Sequence, residues 1–342
     1  MNEKIRFGKI DLFKFIAAFL VITIHTDPLS FYSNTSNFIL TRIISRLAVP
    51  FFFISAGYLF FIKLTEDKKE NYKLLFQYIK RILIIYIASI IIYVPLNIYN
   101  GHFKYYSNIT NILKDLIFNG TMYHLWYLPG LMIGVLISYL LISKFNINIA
   151  LLISIALYVI GLLGDSYYGI TQNIGWLRYI YYNLFIIIDY TRNGIFFAPI
   201  FILLGYKLSR LYNKNKYPGA WHKDLIMFIV FFILFVIETF ILREYNIPKH
   251  DSMTIFLVPS VFLLFKVCIQ LKDKSMKNLR EMSLYIYILH PMMIVVARII
   301  GKITKSSNII INNSLINYFV VTLLSILTSL VLVNLKRYRT KS

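Results

Sequence analysis

Long apolar runs separated by short polar joints set the pattern of this chain. Ten stretches are apolar over the roughly 20 residues that a spanning helix needs, at about 10–28, 46–63, 79–98, 124–143, 147–164, 192–209, 224–242, 253–271, 282–300 and 312–335. Two more apolar pieces, around Ile109–Phe118 and Tyr179–Ile188, are too short to span and read as interfacial or re-entrant helices. Pro50 and Pro129 fall inside expected spans, with Pro259 and Pro291 further along. Such breaks are tolerated in a membrane where neighbours re-satisfy the backbone. Lys4, Arg6 and Lys9 precede the first stretch and no small-residue cleavage site follows it, so it is expected to be a membrane helix and not a cleaved signal. No repeat, low-complexity tract or soluble linker interrupts the pattern. It predicts an all-α polytopic membrane protein with about ten transmembrane helices, both termini cytoplasmic, and a single domain over 1–342.

Composition supports this picture. Of the 342 residues, 58% are hydrophobic and only 15% charged, with a mean hydropathy of +0.66. A soluble domain carries about 25% charge, and a chain this long could not build a polar shell from so few groups. The net charge of +21 would suggest nucleic acid in a soluble protein. Its distribution points elsewhere. With the N-terminus inside, 24 Lys and Arg fall on the inner side and ten on the outer, as the positive-inside rule requires of a protein in the cell membrane. The basic charge is therefore mostly topological, the lipid bilayer is the expected partner, and nucleic acid is not. A lone cysteine, Cys268, excludes a disulfide framework and a multi-cysteine metal site, and no metal is expected. Trp126 and Trp176 read as interfacial belt residues.

Ionisable groups inside spans are costly and are functional candidates by default. The first stretch, KIDLFKFIAAFLVITIH, carries Asp11, Lys14 and His25. Asp11 and Lys14 are three apart and can pair on one face. Lys14 and His25 are eleven apart, about three helical turns, so they share a stripe with an axial separation of ~16 Å. Further polar groups gather in the expected outer half: Arg46 and Ser55 in the second span, His124 opening the fourth, Arg192 opening the sixth, and Glu238 in the seventh. His290 lies mid-span in the ninth. Each has a structural alternative. Lys14 can snorkel to the interface, His25 can be an interfacial imidazole, Arg46 and Arg192 can be anchors, and His290 can bond a carbonyl freed by Pro291.

At these residues the chain resembles the acyltransferase 3 family of integral membrane acyltransferases. That family's first helix carries an Arg, ten intervening residues and a His, a spacing met here by Lys14 and His25. VPFFFISAGY resembles the family's Pro-Phe-Phe-x-x-Ser-Gly segment with Ala56 inserted before Gly57, and HLWYLPG and SLYIYILHP resemble its fourth-helix and late-helix segments. Lysine at position 14 keeps the charge but loses the bidentate fork of arginine. Within the family, DLFKFIAAFLVITIHT, RNGIFF and HDSMTIFLVPS are most similar to the membrane half of the vancomycin-resistance serine racemases. Those proteins continue into a cytoplasmic pyridoxal-phosphate racemase domain, and their membrane half is proposed to import serine. No such domain is expected within these 342 residues, which end in KRYRTKS where one would attach; a racemase domain, fused or separate, is an expected partner.

The resemblance implies transfer of an acyl group, acetyl being the family's common choice, from cytoplasmic acyl-CoA to an extracytoplasmic glycan or other small hydroxyl acceptor. Asp11 and Lys14 would then face the acyl-CoA, His25 would be the general base with His124 or Glu238 assisting, and Arg46, Arg192 and Ser55 would stabilise the oxyanion or hold the acceptor. Two other readings stand beside it: a small-molecule carrier, which buried charges at two depths also suit, and a passive membrane anchor, which does not explain the outer polar cluster.

Overall fold

A computed structural model describes residues 8–101, 108–213, 220–271 and 276–339. Of the basic residues used to orient the chain, Lys4, Arg6, Lys104, Lys214, Lys216, Lys272, Lys274 and Lys341 lie outside the described residues. The described chain is helical, without a strand. Eleven helices carry the architecture: α1 (Gly8–Thr26), α2 (Ala48–Phe61), α3 (Lys68–Tyr99), α4 (Tyr127–Lys144), α5 (Ile147–Leu163), α6 (Gly175–Ile187), α7 (Ala198–Asn213), α8 (Trp221–Glu244), α9 (Leu257–Gln270), α10 (Lys277–Ile303) and α11 (Ser314–Arg339). The ten apolar stretches fall on all of these except α6, which takes the second short piece.

Six helical segments are long and apolar enough to cross a membrane: Asn34–Phe61, α3, α4, α8, α10 and Ser314–Tyr338. α5 and α9 are apolar but shorter. α1 has 19 residues, hence ~28 Å at 1.5 Å per residue, near the ~30 Å of hydrocarbon; Lys9, Asp11 and Lys14 set it apart. Several helices turn apolar side chains outward. On α3, Ile84 and Ile91 are 58% and 64% exposed, and Leu152 on α5 is 66% exposed. Water would penalise such surfaces, and lipid does not.

Local chemistry explains the ends. Asp67 caps α3 by accepting from the Lys69 amide at 2.8 Å, and Asn146 caps α5 by accepting from Ile149 at 3.0 Å. Pro50, Pro129 and Pro259 stand at the third position of α2, α4 and α9. At Pro129 and Pro259 the missing N–H belongs to a group that has no intrahelical acceptor anyway, so these two start helices and do not break them; Pro50 follows the 3-10 turn Ile44–Leu47 inside the continuous helical segment Asn34–Phe61. Pro95 and Pro291 lie deep within α3 and α10.

The chain forms two compact units. The first comprises the described residues of Met1–Phe52, Gly219–Phe228 and Leu263–Ser342. Its centre is a bundle of α1, α10 and α11 around Ala18, Ile22, Met282, Ile286, Met293, Ile294, Ala297, Val321 and Val333. α1 and α10 run in the same direction, since Asp11 meets Arg280 near their starts and His25 meets His290 further along. α11 runs the other way: Lys336 reaches Glu281 at 3.1 Å, and Ser314 donates to the Pro28 carbonyl at 2.8 Å.

The second unit comprises the described residues of Phe53–Pro218 and Ile229–Phe262. Its tightest crossing joins α2 and α7 through two glycines. A Cβ on Gly57 would lie 2.3 Å from the Ile202 carbonyl oxygen, and one on Gly205 would lie 2.3 Å from the Ile54 carbonyl oxygen. Small residues of this kind let membrane helices approach backbone to backbone. Gly57→Ala is therefore expected to destabilise the protein by about 1–3 kcal/mol, the usual cost of overpacking, because backbone atoms cannot rotate away. The check is a lower apparent Tm in detergent; an unchanged Tm would contradict the crossing.

Candidate functional site

In the first unit, the polar groups of α1 are held at both ends. Asp11 is 2% exposed. Arg280 of α10 grips it with both arms, Nε donating to Oδ1 at 2.7 Å and Nη2 to Oδ2 at 2.9 Å, and the Met276 amide donates to Oδ2 at 3.2 Å. The bidentate geometry is the strong form of this pair. It explains why a carboxylate is tolerated there and gives Asp11 a helix-locking role. Lys14, half-buried one turn further on, is the cation of the stripe.

At the other end, the half-buried His25 ring stacks on His290 of α10, with centroids 5.3 Å apart and planes at 24°. Pro291 has no N–H, so the carbonyl of Tyr287, four residues before it, lacks its helical donor. His290 Nδ1 lies 2.9 Å from that oxygen and 3.2 Å from the Ile286 carbonyl. Carbonyls only accept, so Nδ1 carries the proton, which sets the neutral tautomer and leaves Nε2 as an acceptor. The ring is thereby locked against α10. Arg46 sits in a tight 3-10 turn, Ile44–Leu47, that follows a π-helical turn at Ile39–Ile43. Ser45 of that turn hydrogen-bonds Thr23 of α1, tying the segment of Arg46 to the His25 end.

The second unit holds the remaining candidates. Ser55 is fully buried on α2. His124, 2% exposed, packs edge-on to Tyr93 at 5.1 Å in the turn before α4. Glu238 of α8 is 7% exposed, and three donors converge on it: Tyr167 Oη at 2.7 Å and the amides of Ile255 at 2.7 Å and Phe256 at 3.0 Å. Those amides open α9, so Glu238 fixes the approach to that helix. Burial, reinforced by this bond to Glu238, raises the Tyr167 phenol above its ordinary pKa. Asp165, fully buried and not singled out in the sequence, does the same for the neighbouring turn, accepting from the amides of Ser252 at 2.7 Å and Met253 at 2.9 Å. Glu238→Ala would leave two part-buried amides and the Tyr167 hydroxyl short of an acceptor, at about 1 kcal/mol each. Faster proteolysis in the 245–256 loop is the expected readout; an unchanged cleavage rate would count against this role.

Arg192 lies over two rings, its Cζ 4.9 Å from the Trp126 centroid and 4.5 Å from that of Tyr190. Asn193 beside it caps the turn into α7 by accepting from Ile195 and Phe196 at 2.9 and 3.1 Å. Trp126 is thus a wall residue of a polar cavity. The cavity is about 410 Å³ and is lined by Asn97, Asp115, Asn119, Thr121, Asp189 and Arg192 among others. Its floor is the π-helical turn Asp115–Asn119, ended by Gly120 at φ 77°, a conformation suited to glycine. Asp115, Asn119 and Asp189 sit in the segments read as short interfacial helices or beside them, and only their polarity within apolar surroundings could have marked them.

The helical architecture and outward apolar faces define a membrane protein. The family model described as an acyltransferase domain, acyltransferase 3, matches residues 7–334, and the chain belongs to that family. Two amino-acid racemases of Enterococcus faecalis are similar to it, at 39% identity over 97% of this chain and 46% of the relative, and at 36% over 98% and 47%. A serine/alanine racemase of Enterococcus gallinarum is 34% identical over 93% of this chain and 44% of its own length. The chain spans less than half the length of these curated relatives. No solved structure matches it.

Proposed function

We propose that the chain is a membrane O-acyltransferase of the cell membrane, moving an acyl group, acetyl first among the candidates, from cytoplasmic acyl-CoA to a hydroxyl on an extracytoplasmic glycan or other small acceptor. The observation that carries this reading is α1 itself: one continuous helix with a cation near its start and, about three turns on, an imidazole buttressed by a second imidazole of fixed tautomer. The parallel course of α1 and α10 supports a ten-span topology with both termini inside, since a first and a ninth crossing run the same way.

In this mechanism Lys14 attracts the phosphates of the donor. The pantetheine arm runs along the α1 stripe towards His25. His25 takes the proton of the acceptor hydroxyl as its oxygen attacks the thioester carbonyl. Arg46 stabilises the tetrahedral oxyanion. Its collapse breaks the C–S bond, and the CoA thiolate leaves and is reprotonated. His290 holds the His25 ring in place through the stack. Ser55, His124, Arg192 and Glu238 belong to the second unit and carry no step of this mechanism. The test is transfer of label from acetyl-CoA to an acceptor in membranes containing the chain; no transfer above control membranes overturns the reading.

The similarity to amino-acid racemases over the membrane half supports a second reading, the transport domain of a serine racemase system, partnered by a racemase domain fused or separate. Uptake of labelled serine by proteoliposomes lacking acyl-CoA would favour it.

A further inference from the structure

One face of α3 changes character along its length. Lys69, Lys73, Phe76 and Lys80 are followed at steps of three or four residues by Ile84, Ile87 and Ile91. At about 100° per residue all seven fall within roughly 80° of arc. All seven are exposed. The opposite face is packed: Leu75, Ile82, Tyr86 and Tyr93 are buried. The stripe is therefore the outward surface of the second unit at this helix, apolar along one stretch and basic along the next.

The dimensions place the change at a membrane edge. α3 has 32 residues, hence ~48 Å, against ~30 Å of hydrocarbon. The isoleucines lie against lipid tails, and the same stripe followed towards the helix start brings lysines to the headgroups. Helical side chains lean towards the N-terminus, which carries the Lys80 ammonium out of the hydrocarbon while its stem stays in it. Lys73 and Lys80 are seven residues apart, ~10 Å along the axis, with Phe76, 69% exposed, between them. Lys68 and Arg81 add charge beside the stripe, and Glu70 is the one acid of α3. The acids here are engaged locally: Glu70 accepts from the Thr65 hydroxyl at 3.0 Å, and Asp67 caps the helix.

A soluble anion would answer the lysines and leave Phe76 and the isoleucines uncovered. A phospholipid with an anionic headgroup meets both halves of the stripe at once, by charge at one end and by apolar contact at the other. We infer that the start of α3 binds an anionic phospholipid, its phosphate between Lys73 and Lys80, its glycerol edge against Phe76 and its acyl chains along Ile84, Ile87 and Ile91. The site needs no acyl donor, so loss of transfer in His25 variants leaves it untouched.

The experiment is native mass spectrometry of the full chain released from nanodiscs of equal phosphatidylglycerol and phosphatidylcholine. The wild-type chain is expected to retain phosphatidylglycerol at least fivefold over phosphatidylcholine. Lys73→Gln with Lys80→Gln should lower that preference below twofold. Lys223→Gln with Lys277→Gln removes the same charge from exposed positions on other helices and should leave the preference in place. Glycerol phosphate, a headgroup without chains, should not compete. The substituted side chains are exposed, and the wild-type comparison needs no variant. An absent preference in the wild-type chain, equal loss in the two double variants, a preference that survives Lys73→Gln with Lys80→Gln, or displacement by glycerol phosphate overturns the inference.

Discussion

His25→Ala is expected to lower acyl transfer by a factor of about 10²–10⁴, the contribution of a positioned general base, with little change in folded protein. The ring is half-buried and stacks on His290, so its removal opens no fully enclosed core cavity of the kind that costs several kcal/mol. His25→Gln fills the same space without a titratable nitrogen and should be as inactive as alanine. His290→Gln tests the buttress separately. If His290 acts by holding His25, that variant should retain measurable transfer at a reduced kcat with an unchanged KM for the donor. Rates from labelled acetyl-CoA in membranes decide among these. Wild-type transfer by His25→Ala would remove the proposed base.

Arg280→Ala is expected to be the most damaging single change to stability in the first unit. It strips a carboxylate that is 2% exposed of a bidentate partner. Removing one side of a buried pair costs about 3–5 kcal/mol. The Arg280 side chain is 47% exposed, and solvent screening on that side reduces the figure to about 2–3 kcal/mol. Arg280→Lys keeps the charge but not the fork and should fall between. Asp11→Asn should cost less than Arg280→Ala, because the arginine it strands can turn to water. Yield and monodispersity on size exclusion report the order. Equal behaviour of Arg280→Ala and wild type would show that the pair does not lock α1 to α10.

Much of this architecture was legible from local pattern. An apolar run of 17 or more residues has few options but a helix, and the caps at Asp67 and Asn146 are short-range chemistry. The bond of His290 to the carbonyl freed by Pro291 was legible for the same reason, since donor and acceptor are three residues apart. Long-range partners were not. Arg280 lies 269 residues from Asp11, and nothing in the spacing of α1 points to it. The stack of His25 on His290 was hidden likewise, because one ring was placed at a helix end and the other mid-span. Pro50 and Pro129 fall inside apolar spans as expected, although hydropathy does not mark that the α-helix proper begins two residues before each. The cavity was obscured by its own construction: Asp115, Asn119 and Asp189 come from short segments that resemble interface loops, and Arg192 meets Trp126 only through the fold.

The most direct test of the central claim, that donor and acceptor meet along a helix with its cation on one side of the membrane and its imidazole on the other, is a sidedness assay in inside-out vesicles from cells producing the chain. Labelled acetyl-CoA, which does not cross the bilayer, is added outside, where the cytoplasmic face is exposed. The account predicts label on acceptor material inside the lumen, and none in vesicles carrying His25→Ala. Label found only on material outside the vesicles, or equal lumenal label with His25→Ala, would contradict it.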